Sequence, residues 1–295
     1  MSFTPPSLAS ETIAHIGSFP IRNSMVMAWL AMGVLIVLAF IFSAKSKSQK
    51  NAAPKGLVNL VEMFIGGLYN FFLEIVQDHP RTRKFFPIVA TLFLFVITSN
   101  WMGILPGVGS IGIYEEKEVP AVVELNKSVE EPKINQIGET EQQKVELSPV
   151  SGESSKELEK EVEFVPVFRT GYADVNMTLA LALISVLTTM FFGMKILGFG
   201  GYWGKFFVNP FKDAIGTFVG LLELISEFAK LISFSFRLFG NIFAGEVLLV
   251  VISFLAPFIA PLPFYGLEIF VGFVQALVFS LLTTVFMKLA SDSHH

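Results

Sequence analysis

The sequence contains no cysteine, which excludes disulfide frameworks and thiolate metal sites, although it does not fix the compartment. Histidine is nearly as scarce. His15, His79, His294 and His295 lie near the chain ends or beside a proline, at no spacing that suits a metal ion. Charge is sparse as well: 16% of the 295 residues are Asp, Glu, Lys or Arg, against about a quarter in a soluble domain. The deficit is uneven. Phe85–Tyr114, Val175–Met194, Val247–Leu267 and Ile269–Met287 contain none of these four residue types. Also missing are a cleavage pattern behind the first apolar run and an obvious two-fold repeat of the hydrophobic pattern, which secondary transporters often carry.

What is present is apolar. Hydrophobic residues make up 53% of the chain, with 32 phenylalanines among them. Each uncharged block supplies the roughly 20 residues that a helix needs to cross a bilayer core. In lipid the backbone must be satisfied within the segment, leaving helices or a closed barrel. The blocks are too long for barrel strands and do not alternate. The expected fold is an all-α membrane protein of about five membrane-embedded helices plus one amphipathic interfacial helix, with a long tilted C-terminal hairpin.

Charge placement orients the spans. Lysines at 45, 47, 50 and 55 follow the first apolar run, 24–44, so residues 1–23 are expected outside and this helix runs inward. Over 56–79, Leu57, Leu60, Val61, Phe64, Ile65, Leu68, Phe71, Phe72, Ile75 and Val76 fall at i, i+3, i+4 spacing, opposite Asn59, Glu62, Asn70, Glu74, Gln77 and Asp78. That pattern predicts a helix lying along the inner surface, ended by Pro80. Arg81, Arg83 and Lys84 hold the start of a span at 84–105 inside. Within the outside segment 106–170, Tyr114–Glu163 carries 14 Glu and 6 Lys with almost no aromatics, the composition of a loose solvated loop. A span at 172–197 returns inward, with Lys195, Lys205 and Lys212 at its inner end. A long tilted helix at 206–256 and a last helix at 262–290 form the hairpin, with the turn at Pro257, Pro261 and Pro263 and a cytoplasmic tail at 291–295.

Charges inside the membrane cost about 2.5–3.5 kcal/mol each on insertion scales, so each one suggests function. The first arm of the hairpin carries Glu223, Glu227, Lys230, Arg237 and Glu246. Glu223, Lys230 and Arg237 recur every seven residues on one helical face, with Asn241 four further on. Glu227 can partly neutralise Lys230 three residues later. Arg237 has no carboxylate at i+3 or i+4, and a guanidinium keeps its proton in proteins. Glu246, Glu268 and Gln275 form a second group: Glu268 and Gln275 share a face of the second arm, with Glu246 at similar depth on the first. Carboxylates so placed can relay protons where water reaches them. Gly216, Gly220, Gly240 and Gly245 permit close helix approach.

The run Ser235–Phe–Arg237–Leu–Phe–Gly–Asn241, followed by Ala244–Gly–Glu246, resembles subunit a of the bacterial F-type ATP synthase membrane sector. Phe86–Pro, Asn100–Trp–Met–Gly–Ile–Leu–Pro106, Arg169–Thr, Ala173–Asp–Val–Asn176–Met–Thr–Leu and Gln275–Ala agree in order. The resemblance implies a stationary partner for a rotating ring of c subunits, in a multi-subunit complex with peripheral-stalk b subunits, as a multi-pass protein of the bacterial inner membrane. It implies that Arg237 faces the ring's carboxylate with Asn241 beside it. Glu246, Glu268 and Gln275 match the outer access path and Glu223 the inner one. Some relatives carry histidine at the Glu268 position, and a carboxylate there is still titratable. Asn100, Arg169, Asp174 and Asn176 are carried over as supporting polar positions. The loop Tyr114–Glu163 departs from the family pattern in length.

Three alternatives stay open at this level: the same fold coupled to sodium, a stand-alone ion-coupled secondary transporter, and a structural scaffold. A scaffold would not need five charges on one arm. The chain is expected to be non-catalytic by itself, with no catalytic residue, cofactor, metal or nucleic acid.

Overall fold

A computed structural model describes residues 10–48, 56–105, 107–109, 111–120, 158–207, 214–256 and 258–292. The expected roles of Lys50, Lys55, Pro106, Lys212, Pro257, His294 and His295, and the middle of the acidic segment, lie outside these residues. Two compact units result: Met1–Gly112 with Pro166–His295, and Ile113–Val165. Among the described residues the first unit holds seven α-helices, and six of them are long and apolar enough to cross a membrane. The all-α membrane fold expected from composition is therefore present.

The described residues begin with a hairpin absent from the sequence expectation. Strands β1 (Thr12–Ile16) and β2 (Phe19–Arg22) pair antiparallel, Ile16 opposite Phe19. Gly17 turns between them at φ 62°, a left-handed conformation that glycine adopts without a Cβ penalty. Helix α1 (Asn23–Ser48) follows directly. It buries Met27, Ala28 and Ala31 and leaves Trp29, Ile36, Val37 and Phe40 exposed, as a helix with one side against α3 and the rest in lipid would.

Helix α2 (Leu57–Val76) buries Val58, Leu68, Phe72 and Val76 and packs on α3 (His79–Gly103). Pro80 does not end α2. The helix stops at Val76, where Gln77 takes a left-handed conformation (φ 59°) and its N–H donates to the Leu73 carbonyl. Pro80 sits in the first turn of α3, where a missing N–H costs nothing.

The second unit holds all but the outer end residues of β3 (Gly112–Pro120) and β4 (Leu158–Pro166), hydrogen-bonded in a two-stranded sheet. The two ends of the acidic segment are thus strands and not loose loop. Glu161–Val–Glu163–Phe alternates with the period of a strand, a signal that the high charge hid.

After a 3₁₀ turn at Gly171–Ala173 come α4 (Val175–Leu197) and the short α5 (Phe199–Gly204), then α6 (Ala214–Leu255) and α7 (Pro261–Ser291). Helix α5 was not anticipated. Its Tyr202 packs edge-on against Trp203 and Phe206, and Trp203 lies tilted on Phe206, the aromatic clustering typical of a membrane interface. Pro261 and Pro263 belong to the first turn of α7 and not to the turn before it, because proline is preorganised for a helix start.

Helices α3, α4, α6 and α7 form the core of the first unit. Lipid is as apolar as leucine, so such helices associate through tight packing and polar seams. Both are present. Phe85 meets Phe192 and Phe234 meets Phe279 at 5.1 Å between ring centres. Hydroxyl pairs stitch α4 to its neighbours, Ser185 to Thr283 of α7 at 2.7 Å and Thr178 to Ser235 of α6 at 3.0 Å.

Candidate functional site

The site grows from helix α6, whose 42 residues pass one side into the bundle and leave the other uncovered. Phe234, Ser235 and Leu238 are buried, while Ser233, Arg237, Gly240, Asn241 and Ala244 are exposed. Arg237 therefore projects from the open face, among small side chains. It has no hydrogen bond or ion pair with any of the described residues. Asn241, one turn on, donates through Nδ2 to Gln275 Oε1 of α7 at 2.6 Å. Gln275 is 3% exposed, so this bond links the open face of α6 to the interior.

A cavity of about 480 Å³ lies in the bundle beside the C-terminal half of α6, lined by Asn100, Arg169, Glu246, Tyr265 and Glu268 among others. Each residue turns an α-helix by about 100°, so Glu246, nine residues after Arg237, projects from the opposite side of α6. Its Oε1 lies 3.3 Å from Arg169 Nε. Arg169 is 6% exposed, so Glu246 has a buried guanidinium as its partner. Glu268 is 8% exposed and makes no hydrogen bond or ion pair with the described residues. Its carboxylate fills the space where Gly245 would carry a Cβ. Asn100 donates to the Gly272 carbonyl of α7 at 3.1 Å, and Trp101 to that of Ile269 at 3.1 Å, which fixes α3 against α7 along the cavity wall. Glu246 Oε2 and Asn100 Oδ1 have no protein partner among the described residues. Buried polar atoms beside a cavity are ordinarily satisfied by water.

A second cavity of about 490 Å³ lies at the N-terminal half of α6, lined by Tyr202, Lys205, Glu223, Glu227 and Lys230 among others. Lys230 bonds Glu227 at 2.6 Å and sits 4.6 Å from the centre of the Phe286 ring. Burial and the charges of Glu227 and Glu223 push the Tyr202 phenol up to about 12. Lys205 donates to the Asp292 carbonyl at 2.6 Å, and burial lowers its amine despite the three acids nearby. Gly220 is required here, since a Cβ would run into the carbonyls of Phe206 and Lys205. Gly240, by contrast, meets nothing within 4 Å.

Asp174 stands apart from both cavities, as the N-cap of α4. It accepts from Ser10 Oγ at 2.6 Å, Ser24 Oγ at 3.0 Å and the Asn176 N–H at 2.9 Å, with Arg22 at 3.8 Å. Burial alone would raise its carboxyl, but these hydrogen bonds and the Arg22 charge together hold it below the usual aspartate range. The Asn176 side chain is exposed and touches neither cavity. Of the ten expected site residues, Asn100, Arg169, Glu246 and Glu268 share the first cavity, and Glu223 lines the second. Arg237, Asn241 and Gln275 lie between these in sequence or contact. Tyr265 and Tyr202, which line the first and second cavities, were missed: one aromatic beside a proline turn and one within an aromatic run look like packing.

Comparison with known proteins fits this arrangement. The model of the family described as ATP synthase A chain matches residues 25–288. Similar proteins include the ATP synthase subunit a of Citrifermentans bemidjiense, 28% identical over 92% of this chain and 89% of that one. Those of Campylobacter jejuni subsp. doylei (28% identical, 87% and 86%) and Geotalea uraniireducens (27% identical, 92% and 89%) are similar too.

Proposed function

The chain belongs to the ATP synthase A chain family, and from that premise we propose that it forms two proton half-channels against a ring of c subunits, so that proton flow turns the ring. It is a multi-pass membrane protein of an ion-transporting, ATP-synthesising complex. The finer topology belongs to the proposal: residues 1–23 and 106–170 outside, 291–295 in the cytoplasm, and the peripheral-stalk b subunits among the partners.

One observation carries it. Two cavities lined by carboxylates flank opposite halves of one helix, and between them that helix presents an arginine, without a partner among the described residues, on its open face. Along the axis Arg237 lies about 14 Å from Glu246 and about 21 Å from Glu223, at about 1.5 Å per residue. A proton entering at Glu268 and Glu246 is behind α6, and the Asn241–Gln275 bond is its passage to the open face. There it neutralises a ring carboxylate, which can then face lipid as the ring turns. On return, the carboxylate releases its proton toward Glu223. Arg237 separates the paths, because a fixed cation repels protons and favours the ionised ring site. Each charge crossing 100 mV supplies about 2.3 kcal/mol.

The test is ATP-driven proton uptake and ATP synthesis by the assembled complex in sealed vesicles. Arg237→Ala should abolish both while leaving the complex assembled, and Arg237→Lys should fail nearly as badly, since an ammonium is a more strongly hydrated point charge. Normal coupled flux in Arg237→Ala would end the proposal. ATP synthesis that persists with a sodium gradient in vesicles made permeable to protons would replace the proton by sodium.

A further inference from the structure

We propose that the cavity between α2 and the first turns of α3 binds the phosphate headgroup of an anionic phospholipid. It measures about 730 Å³ and is lined by Tyr69, His79, Pro80, Arg83 and Lys84. No acid is among them. His79, Arg83 and Lys84 are exposed and have no hydrogen bond or ion pair with the described residues. The neighbouring Arg81 shows the alternative: it is held by Asp78 at 3.1 Å and Asp292 at 2.5 Å, and does not line the cavity. Two cations and an imidazole are therefore gathered at one opening and left uncompensated, the composition that captures a phosphodiester.

The surroundings favour a lipid over phosphate from solution. Tyr69 packs edge-on against Phe86 at 5.1 Å, which gives the cavity an apolar wall. Along α2, Leu57, Leu60, Met63 and Phe64 are exposed, a surface that acyl chains cover and water does not. The cavity also sits where α3 passes from its charged first turns to the uncharged run beginning at Phe85, the depth at which headgroups lie. The start of α3 adds partial positive charge, since the Asp78 side chain does not cap it.

The experiment is native mass spectrometry of the full chain in detergent, titrated with phosphatidylglycerol or phosphatidylcholine. Phosphatidylglycerol should bind the more tightly. Arg83→Gln with Lys84→Gln should weaken it about thirtyfold, which is about 1 kcal/mol for each charge removed. Phosphatidylcholine binding should stay unchanged. Arg83→Lys should keep most of the affinity, and Arg81→Gln should leave it alone. Thermal unfolding of each variant guards against a misfolded result. Wild-type affinity for phosphatidylglycerol in the folded double variant would overturn the proposal. So would displacement of the lipid by millimolar inorganic phosphate, or a protein partner cross-linking at residue 83 in native membranes.

Discussion

The carboxylate of Glu268 on α7 occupies the space that a side chain on Gly245 of α6 would fill. The hairpin arms thus approach closely at the titratable group, and glycine at 245 is a condition of that carboxylate's position. Gly245→Ala should cost about 1–3 kcal/mol through overpacking and slow coupled proton flux. Adding Glu268→Ala should restore thermal stability without restoring flux. If the double variant is no more stable than Gly245→Ala, the two residues do not share the space.

Removing Arg169 should be worse than removing its ion pair. Arg169→Gln leaves Glu246 without its guanidinium in a largely buried place, and breaking such a pair costs about 3–5 kcal/mol. Arg169→Gln with Glu246→Gln should unfold closer to the wild-type temperature than Arg169→Gln alone. Thermal unfolding of the purified chain measures this. Equal losses in both variants would assign the effect of Arg169 to its other contacts.

Asn241 and Gln275 should be coupled in flux more than in stability. Their bond joins the open face to the interior at 2.6 Å, and an ordinary hydrogen bond contributes about 1 kcal/mol. Asn241→Ala and Gln275→Ala should each reduce ATP-driven proton uptake severely, with the pair no worse than the poorer single variant. Additive effects of the two changes would separate their roles.

Asp174 should make the α1–α4 junction acid-sensitive. Its carboxyl titrates below the usual value, so its contribution to stability is fully present above about 3.9, the unfolded value. That contribution fades as pH falls through the lower native value. Amide hydrogen exchange in the first turn of α4 should accelerate at acid pH, and Asp174→Asn should exchange faster even at neutral pH. A variant as protected as the wild type at neutral pH would show that the carboxylate's charge is not what orders the junction.

Much of the fold could be read from the sequence because the physics of lipid is blunt: uncharged runs of helical length have few other solutions. Arg237 and Asn241 were legible for the same reason, as polar residues where each one costs free energy. The pairing of Arg169 with Glu246 was not, since 77 positions separate them and no periodicity links a loop residue to a helix. Glycine at 245 resembled the other small residues on α6, and only the approach of α7 distinguishes it from Gly240. The strands of the acidic segment were hidden by charge. Pro261 and Pro263 were read into the turn because proline both stops and starts helices.

The hydroxyl seams of α4 have a mechanical consequence if the proposed function holds. A turning ring drags on the open face of α6 sideways, and the complex makes ATP only if that face does not follow. Thr178–Ser235 and Ser185–Thr283 fasten α4 to both arms of the hairpin, one bond to each. Lateral load on α6 then passes into α4 and α7 together as shear across two seams. The bundle behind α6 acts as a brace, and loosening either seam should waste torque as slip without closing the proton path.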